Sequence, residues 1–479
     1  MLLQPSPAST PRKRPPAEAP SSAEWTHSYD AGCVEANGAY AGGSEIMHLV
    51  PHRGKLYAAN GYWMDRRWRG VPYAERQSAQ VLRLDTPDGR WQVDLDMGRA
   101  NPRGLRYMKG HILKSVTFTR DAAGDPLPAP RTLLIAAAGA YRDGQGVVSA
   151  WVRDDAAGTW RHGTVMRGSR AGGTRWVPRD VEVYTDTVTG RERLFLLLGN
   201  PGIVSGVWDP SQPAGIRWDE EVEFPAEGTL PVRPLGIVQA DGALLFSVGG
   251  TLYRRVDGPE PTYEDVLTLG GGVNTDVGGI RGLTAVPNPN GAGESLLFVW
   301  VPSGRAHSRV KRLDPDGCGG YTLHEEADLS RLMGKTLGVP VGYTLGAHNT
   351  MVPVVHPVTG ETVHLMGFLG RLPAGHPLRW GGSRLYAGAM YAVRAADGTY
   401  TVHEVNGPWA PGKPVLVSPR TFAVSPFPEH GGRQVYVGGF DASFVPVRDT
   451  AWIFRAPLGV VVGACPANPS SARGRARRR

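Results

Sequence analysis

Thr450-Ala451-Trp452-Ile453-Phe454-Arg455 reads as a β-strand that lacks its partner. It follows the apolar run Val435–Gly439, and beyond it the chain passes through Pro457 and a Gly/Val stretch with no further strand opened by an aromatic. The matching strand stands at the other end of the chain, as Glu24-Trp25-Thr26-His27-Ser28-Tyr29-Asp30. Its pattern resembles Gly89–Asp96 and Gly398–Val405. Laid against 450–455, it would cover an open sheet edge and lock a ring.

The same unit is legible along the rest of the chain. Seven apolar runs recur, at Leu56–Ala59, Leu133–Ala137, Leu194–Leu198, Leu244–Val248, Leu296–Trp300, Val363–Gly367 and Val435–Gly439. They are too short for helices, are bounded by turn residues, and read as buried strands. An alternating strand follows each, as in Gln80–Leu84 or Arg309–Leu313. Next comes a turn such as Asp85-Thr86-Pro87-Asp88-Gly89 and a polar strand opened by Trp91, Trp160, Trp218, Tyr263, Tyr321 or Tyr400. One more strand before each apolar run makes four antiparallel strands per unit. The spacing of the aromatics, 45 to 79 residues, is too uneven for a solenoid.

The chain therefore resembles seven-bladed β-propellers over about residues 23–465, by architecture and not by the signature of one family. The expected class is all-β: seven four-stranded antiparallel blades, the last completed by residues 24–30. Cys33 and Cys465 fall near that seam. With Cys318 they form no metal spacing, and all three are read as reduced thiols.

The formal net charge of +8 is concentrated at the ends. Residues 1–22 contribute +2 and residues 466–479 contribute +5, which leaves about +1 for the body. Both ends are rich in Pro, Ser, Ala and Arg and are expected to be disordered tails. Nucleic-acid contact, if any, is assigned to them. No apolar run is long enough to span a membrane, so a membrane role is not expected; no secretory apolar stretch opens the sequence, so an intracellular location is expected unless a leader was trimmed, in which case secretion stays open. The chain is read as a monomer.

In propellers the innermost strand of each blade starts at one mouth of the central channel, and the loop after the second strand returns there. Arg103-Gly-Leu, Arg179-Asp-Val, Arg233-Pro-Leu, Arg281-Gly-Leu and Arg420-Thr-Phe stand at that start in five blades. Glu45 takes the place in the first blade; in the sixth, Met351 aligns, with His348 three residues earlier. Five guanidiniums around one opening need counter-charge. One source is an anionic ligand, whose carboxylate, sulfate or phosphate suits the guanidinium fork; the other is a carbonyl or carboxylate of the next blade. The returning loops add Asn60, Tyr62, Trp63, Tyr141, Asn200, Trp300, His307, Phe368, Phe440 and Asp441. Of these, Tyr62, Trp63, Asn200 and Trp300 are the candidate ligand contacts, suited to a polar, partly flat or carbohydrate-like molecule.

Glu45, His348 and Asp441 interrupt the arginine pattern on neighbouring blades and are the candidate catalytic residues. Proton abstraction beside a carbonyl, with arginine stabilising the developing charge, would make a lyase, dehydratase or isomerase. The same three could hold a divalent metal; no other cofactor is evident. His48, His52 and His111 are expected nearer the opposite face. Neither a Walker loop nor a GxGxxG opening a helix is present, which argues against NTP and hydride chemistry. The competing reading is a non-catalytic scaffold for proteins or nucleic acid, since propellers host both.

Overall fold

The computed structural model describes residues 25–464 except 36–37, 64, 66–67, 69, 170–174, 227–232, 271–277, 303–306, 347, 377–384, 387, 406–416 and 441–448. Seven four-stranded antiparallel blades succeed one another around a central channel. Their innermost strands are Glu45–His52, Ile112–Arg120, Val181–Thr185, Pro234–Ala240, Gly279–Pro287, Val352–Val355 and Ser418–Val424. The seven apolar runs are the second strands, and Leu194–Leu198 is typical: all five residues are buried. A strand covered on both faces by its neighbours has no polar side to show, which is why these runs do not alternate.

Seven apolar clusters fill the structure, one at each seam between adjacent blades. No cluster spans the ring, so the channel itself is left to polar side chains. The last seam closes as the sequence predicts. Thr26–Asp30 pairs with the 452–455 strand in the register Thr26↔Arg455, His27↔Phe454, Tyr29↔Ile453 and Asp30↔Trp452. Tyr29 is buried there, Trp25 and Trp452 are buried on the side facing blade 6, and Trp91 of blade 1 donates from Nε1 to Ser28 Oγ at 3.1 Å. Phe440 also pairs with Glu45, which joins blades 7 and 1 into one continuous sheet. Cys33 is exposed, and Cys465 lies outside the described residues.

The aromatics that open the outer strands have a task beyond packing. At the seam of blades 1 and 2, Asp94 accepts from Arg153 Nε at 2.9 Å and from Trp160 Nε1 at 2.7 Å. Between blades 3 and 4, Glu223 accepts from Arg255 Nε at 2.9 Å and Tyr263 Oη at 2.6 Å. Between blades 5 and 6, Glu326 accepts from Arg394 Nε at 2.7 Å and Tyr400 Oη at 2.6 Å. One carboxylate, one third-strand arginine and one outer aromatic thus brace three alternate seams. Burial opposes the charge on Arg153, Arg255 and Arg394, yet their carboxylate partners hold all three above the ordinary guanidinium value.

Candidate functional site

The innermost strands converge, and one side chain from each blade meets at the channel: Glu45, Lys109, Arg179, Arg233, Arg281, His348 and Arg420. Each is buried or half-buried and electrostatically coupled to others of the set. The blade-2 position corrects the sequence reading. Arg103 is exposed and outside the ring; its N–H donates to Asn101 Oδ1 at 2.8 Å and its carbonyl accepts from Arg142 at 3.0 Å. Arg103-Gly-Leu imitates Arg281-Gly-Leu, but the blade-2 innermost strand begins only at Ile112. The chain between runs back along the second strand of blade 1, where Lys109 bridges Gly61.

Glu45 meets two of the cations, Lys109 Nζ at 3.0 Å and Arg420 Nη1 at 3.5 Å. Arg179 has no carboxylate at ion-pair distance among the described residues, so Glu45 is the counter-ion shown for Lys109, Arg179 and Arg420 together. The Nε atoms of Arg179 and Arg420 are buried and have no hydrogen-bond partner there. Burial, and in Arg179, Arg233 and Arg281 also the neighbouring arginines, pushes all four guanidiniums below their ordinary value.

His348 reaches this ring because its loop crosses the channel. Asn349 Nδ2 donates to Met47 O of blade 1 at 2.8 Å, and the Met351 N–H donates to Thr284 Oγ1 at 3.0 Å. His348 Nδ1 then lies 3.5 Å from Arg281 Nη1. Met351, the aligned residue, is buried in the seam of blades 5 and 6. His48 and His111 belong to the channel too, not to the opposite face. His48 Nε2 lies 2.8 Å from His111 O. Burial lowers His48 to about 3 and holds His111 and His348 well below the usual imidazole value, with Arg420 adding to the effect in all three. These imidazoles are neutral and do not add to the charge. His52 does lie at the far end, bonded to Ser115 and Asp155 at 2.9 Å each.

Beside the ring is a cavity of about 160 Å³ lined by His48, Lys114, Arg179, Asp180, His348 and Thr421, among others. At this level charge is balanced. Lys114 Nζ meets Glu182 at 2.7 Å and Asp180 at 3.6 Å. Larger clefts open on the outer seams, but the one lined by Asp186, Glu223 and Arg255 holds charges already paired with one another.

The returning loops contribute less than expected. Trp63 comes to the ring, with Lys109 Nζ 4.5 Å from its ring centre. Asn200 Oδ1 accepts from the Arg175 N–H at 2.9 Å, so it shapes its own loop. Tyr62 is fully buried, and Trp300 packs in the apolar cluster between blades 4 and 5. Asp441 lies outside the described residues. Among those residues no group of three or more His, Cys, Asp or Glu is placed to hold a metal, and no helix is long and apolar enough to cross a membrane.

No family model matches the sequence, and no curated relative does. Solved structures with a similar course of chain include the α-L-arabinofuranosidase Arb93A of Fusarium graminearum, at 11% identity and TM-score 0.39 over 80% of this chain and 98% of that one. An α-L-arabinanase of Penicillium chrysogenum matches at 13% and 0.37, over 81% and 99%. The Aleuria aurantia lectin matches at 10% and 0.37, over 77% and 97%. At these values the site has to be read from its own residues. By architecture the chain is a seven-bladed β-propeller closed by its N-terminal strand.

Proposed function

We propose that the channel mouth binds a small anionic molecule, a carboxylate- or phosphate-bearing compound of the size of a sugar acid. The observation that carries this reading is the pair Arg179 and Arg420: the Nε atom of each is buried without a hydrogen-bond partner among the described residues, and the carboxylate beside them, Glu45, is shared with Lys109. A buried cation without counter-charge costs several kcal/mol. An incoming anion relieves that cost and meets guanidinium donors already held in place. The cavity of about 160 Å³ beside the ring, which reaches it at Arg179 and His348, has room for a compact ligand, well below the range of roughly 300–1,000 Å³ typical of drug-sized ones. Glu45 is engaged by two cations and serves as the resident counter-ion, and abstraction of a proton from a substrate carbon is not part of this proposal.

The test is thermal unfolding at fixed ionic strength with chloride, sulfate, phosphate or gluconate, for wild type, Arg179→Gln and Arg420→Gln. Sulfate, phosphate or gluconate is expected to stabilise the wild type by about 2.7 kcal/mol at a hundredfold excess over Kd, and the variants much less. An identical response to all four anions, in variants and wild type alike, refutes the reading and leaves the scaffold in its place.

A further inference from the structure

Lysine is rare in this chain. Seven of the 52 basic residues are lysines, and one of them, Lys109, stands among the ring's five cations, the other four being arginines. Resting on the anion-binding reading above, we infer that Lys109 is a nucleophilic amine that forms an imine with a carbonyl compound carrying a carboxylate or phosphate.

Three backbones lie side by side here. Gly61 pairs with Glu45 on one side and bridges Lys109 on the other. The Glu45 carboxylate reaches Lys109 Nζ, at 3.0 Å, across the bare face of Gly61. A Cβ on Gly61 would lie 2.8 Å from Glu45 Oε1 and 3.0 Å from its Cγ, so the pair depends on that glycine. Trp63 stacks against the amine, and 16% of the lysine side chain remains exposed, which leaves a way in.

The surroundings decide the protonation state. Burial disfavours the ammonium most; Glu45 favours it, and Arg420 and Arg179 oppose it, which brings Lys109 down to about 8. His111 and His348, the imidazoles coupled to it, are neutral. A lysine among cations in a desolvated site keeps a reactive neutral fraction near neutrality. The same arginines would hold the acid group of the substrate beside it.

The step balances without a co-reactant. Glu45 takes a proton from the ammonium, and neutral Nζ attacks the carbonyl carbon as the C=O π pair moves to oxygen. A proton passes from nitrogen to that oxygen, Glu45 returns its own proton there, and the oxygen leaves as water. Ammonium and carbonyl become iminium and water, with the positive charge kept beside the Glu45 carboxylate.

The experiment treats the full chain with pyridoxal 5′-phosphate, an aldehyde bearing a phosphate, reduces it with borohydride and locates the adduct by peptide mass spectrometry. Lys109 is expected to be labelled at least tenfold faster than the surface residues Lys55 and Lys335 at pH 8. Its rate should be half-maximal near pH 8 and should fall severalfold in Gly61→Ala. Label on Lys55 and Lys335 with Lys109 bare overturns the inference. The two readings separate cleanly. If pyridoxal without phosphate labels Lys109 equally fast, the amine stands and the anion site falls. If sulfate stabilises the protein while Lys109 stays bare, the anion site stands and the amine falls.

Discussion

Arg153 at the seam of blades 1 and 2 and Arg179 at the channel are buried guanidiniums in one fold, under opposite electrostatic loads. Arg153 meets Asp94 at 2.9 Å and Asp155 at 2.7 Å and is held above its ordinary value. Arg179 meets no carboxylate at ion-pair distance among the described residues, is pressed by Arg233, Arg281 and Arg420, and is pushed well below it. In the direction of the shift, Arg255 and Arg394, held up by their carboxylates, likewise differ from Arg281 and Arg420, pushed down chiefly by burial. An arginine that serves the fold brings its own carboxylate and often an aromatic hydroxyl or indole to share it. On the proposed reading, Arg179 leaves its counter-charge to a ligand. The seams show that this chain can neutralise a buried guanidinium, so the imbalance in the ring is not a general habit of the sequence.

The strongest way to break this contrast is to remove a carboxylate from a seam. Asp94→Ala leaves the buried Arg153 with Asp155 alone and takes the acceptor from Trp160 Nε1, and should cost about 3 kcal/mol in denaturant unfolding. A loss below 1 kcal/mol would mean that the seam arginines are no better paired than those of the ring.

Acid provides the second test. The folded His48 value, about 3, lies below the unfolded value near 6.5, so the unfolded chain takes up the proton first. Stability is therefore complete above pH 6.5 and falls as pH drops from 6.5 toward 3, by on the order of 1.4 kcal/mol per unit for this group. His48→Gln should flatten that part of the stability–pH curve; an unchanged slope would take His48 out of the account.

Ring and seam should also differ in sign. Arg179→Met removes an unneutralised charge and keeps the stem, so without added anion it should raise stability by about 1–2 kcal/mol. In saturating sulfate that gain should vanish. Arg153→Met, by contrast, should destabilise under both conditions. Equal signs for the two variants would erase the distinction. The smallest effect belongs to Tyr263→Phe, which loses one hydrogen bond to Glu223 and should cost about 1 kcal/mol with no change in anion response.

The fold was legible in the sequence because its determinants are local and repeated. An apolar run such as Leu194–Leu198, the turn Asp85–Gly89 and an outer aromatic such as Tyr263 each carry their meaning within a few residues. Even the closing strand could be found by counting what blade 7 lacked. The ring was legible only in part. Arg179, Arg233, Arg281 and Arg420 stand close before or within their innermost strands and could be read off. Lys109 could not, because the chain from Arg103 to Gly110 makes an extra pass along blade 1 before entering blade 2. The signal that Ile112, and not Leu105, starts the strand was available in the apolar alternation after His111. The loop carrying His348 across the channel left no such trace.

The outer aromatics show where the two sources of information part. Trp160, Tyr263 and Tyr400 were recognised from spacing alone as the openings of outer strands. That each shares a carboxylate with an arginine of its own blade, across a seam, was not, because the acid comes from the preceding blade at a distance of 40 to 74 residues. The sequence by itself determined the number of blades, their strand order and the ring closure, since backbone pairing and burial follow from periodicity. Only the tertiary structure decided which buried arginines meet a carboxylate, as Arg153 does and Arg179 does not among the described residues. Charge balance depends on which side chains meet across seams and around a channel, and no local pattern carries that information.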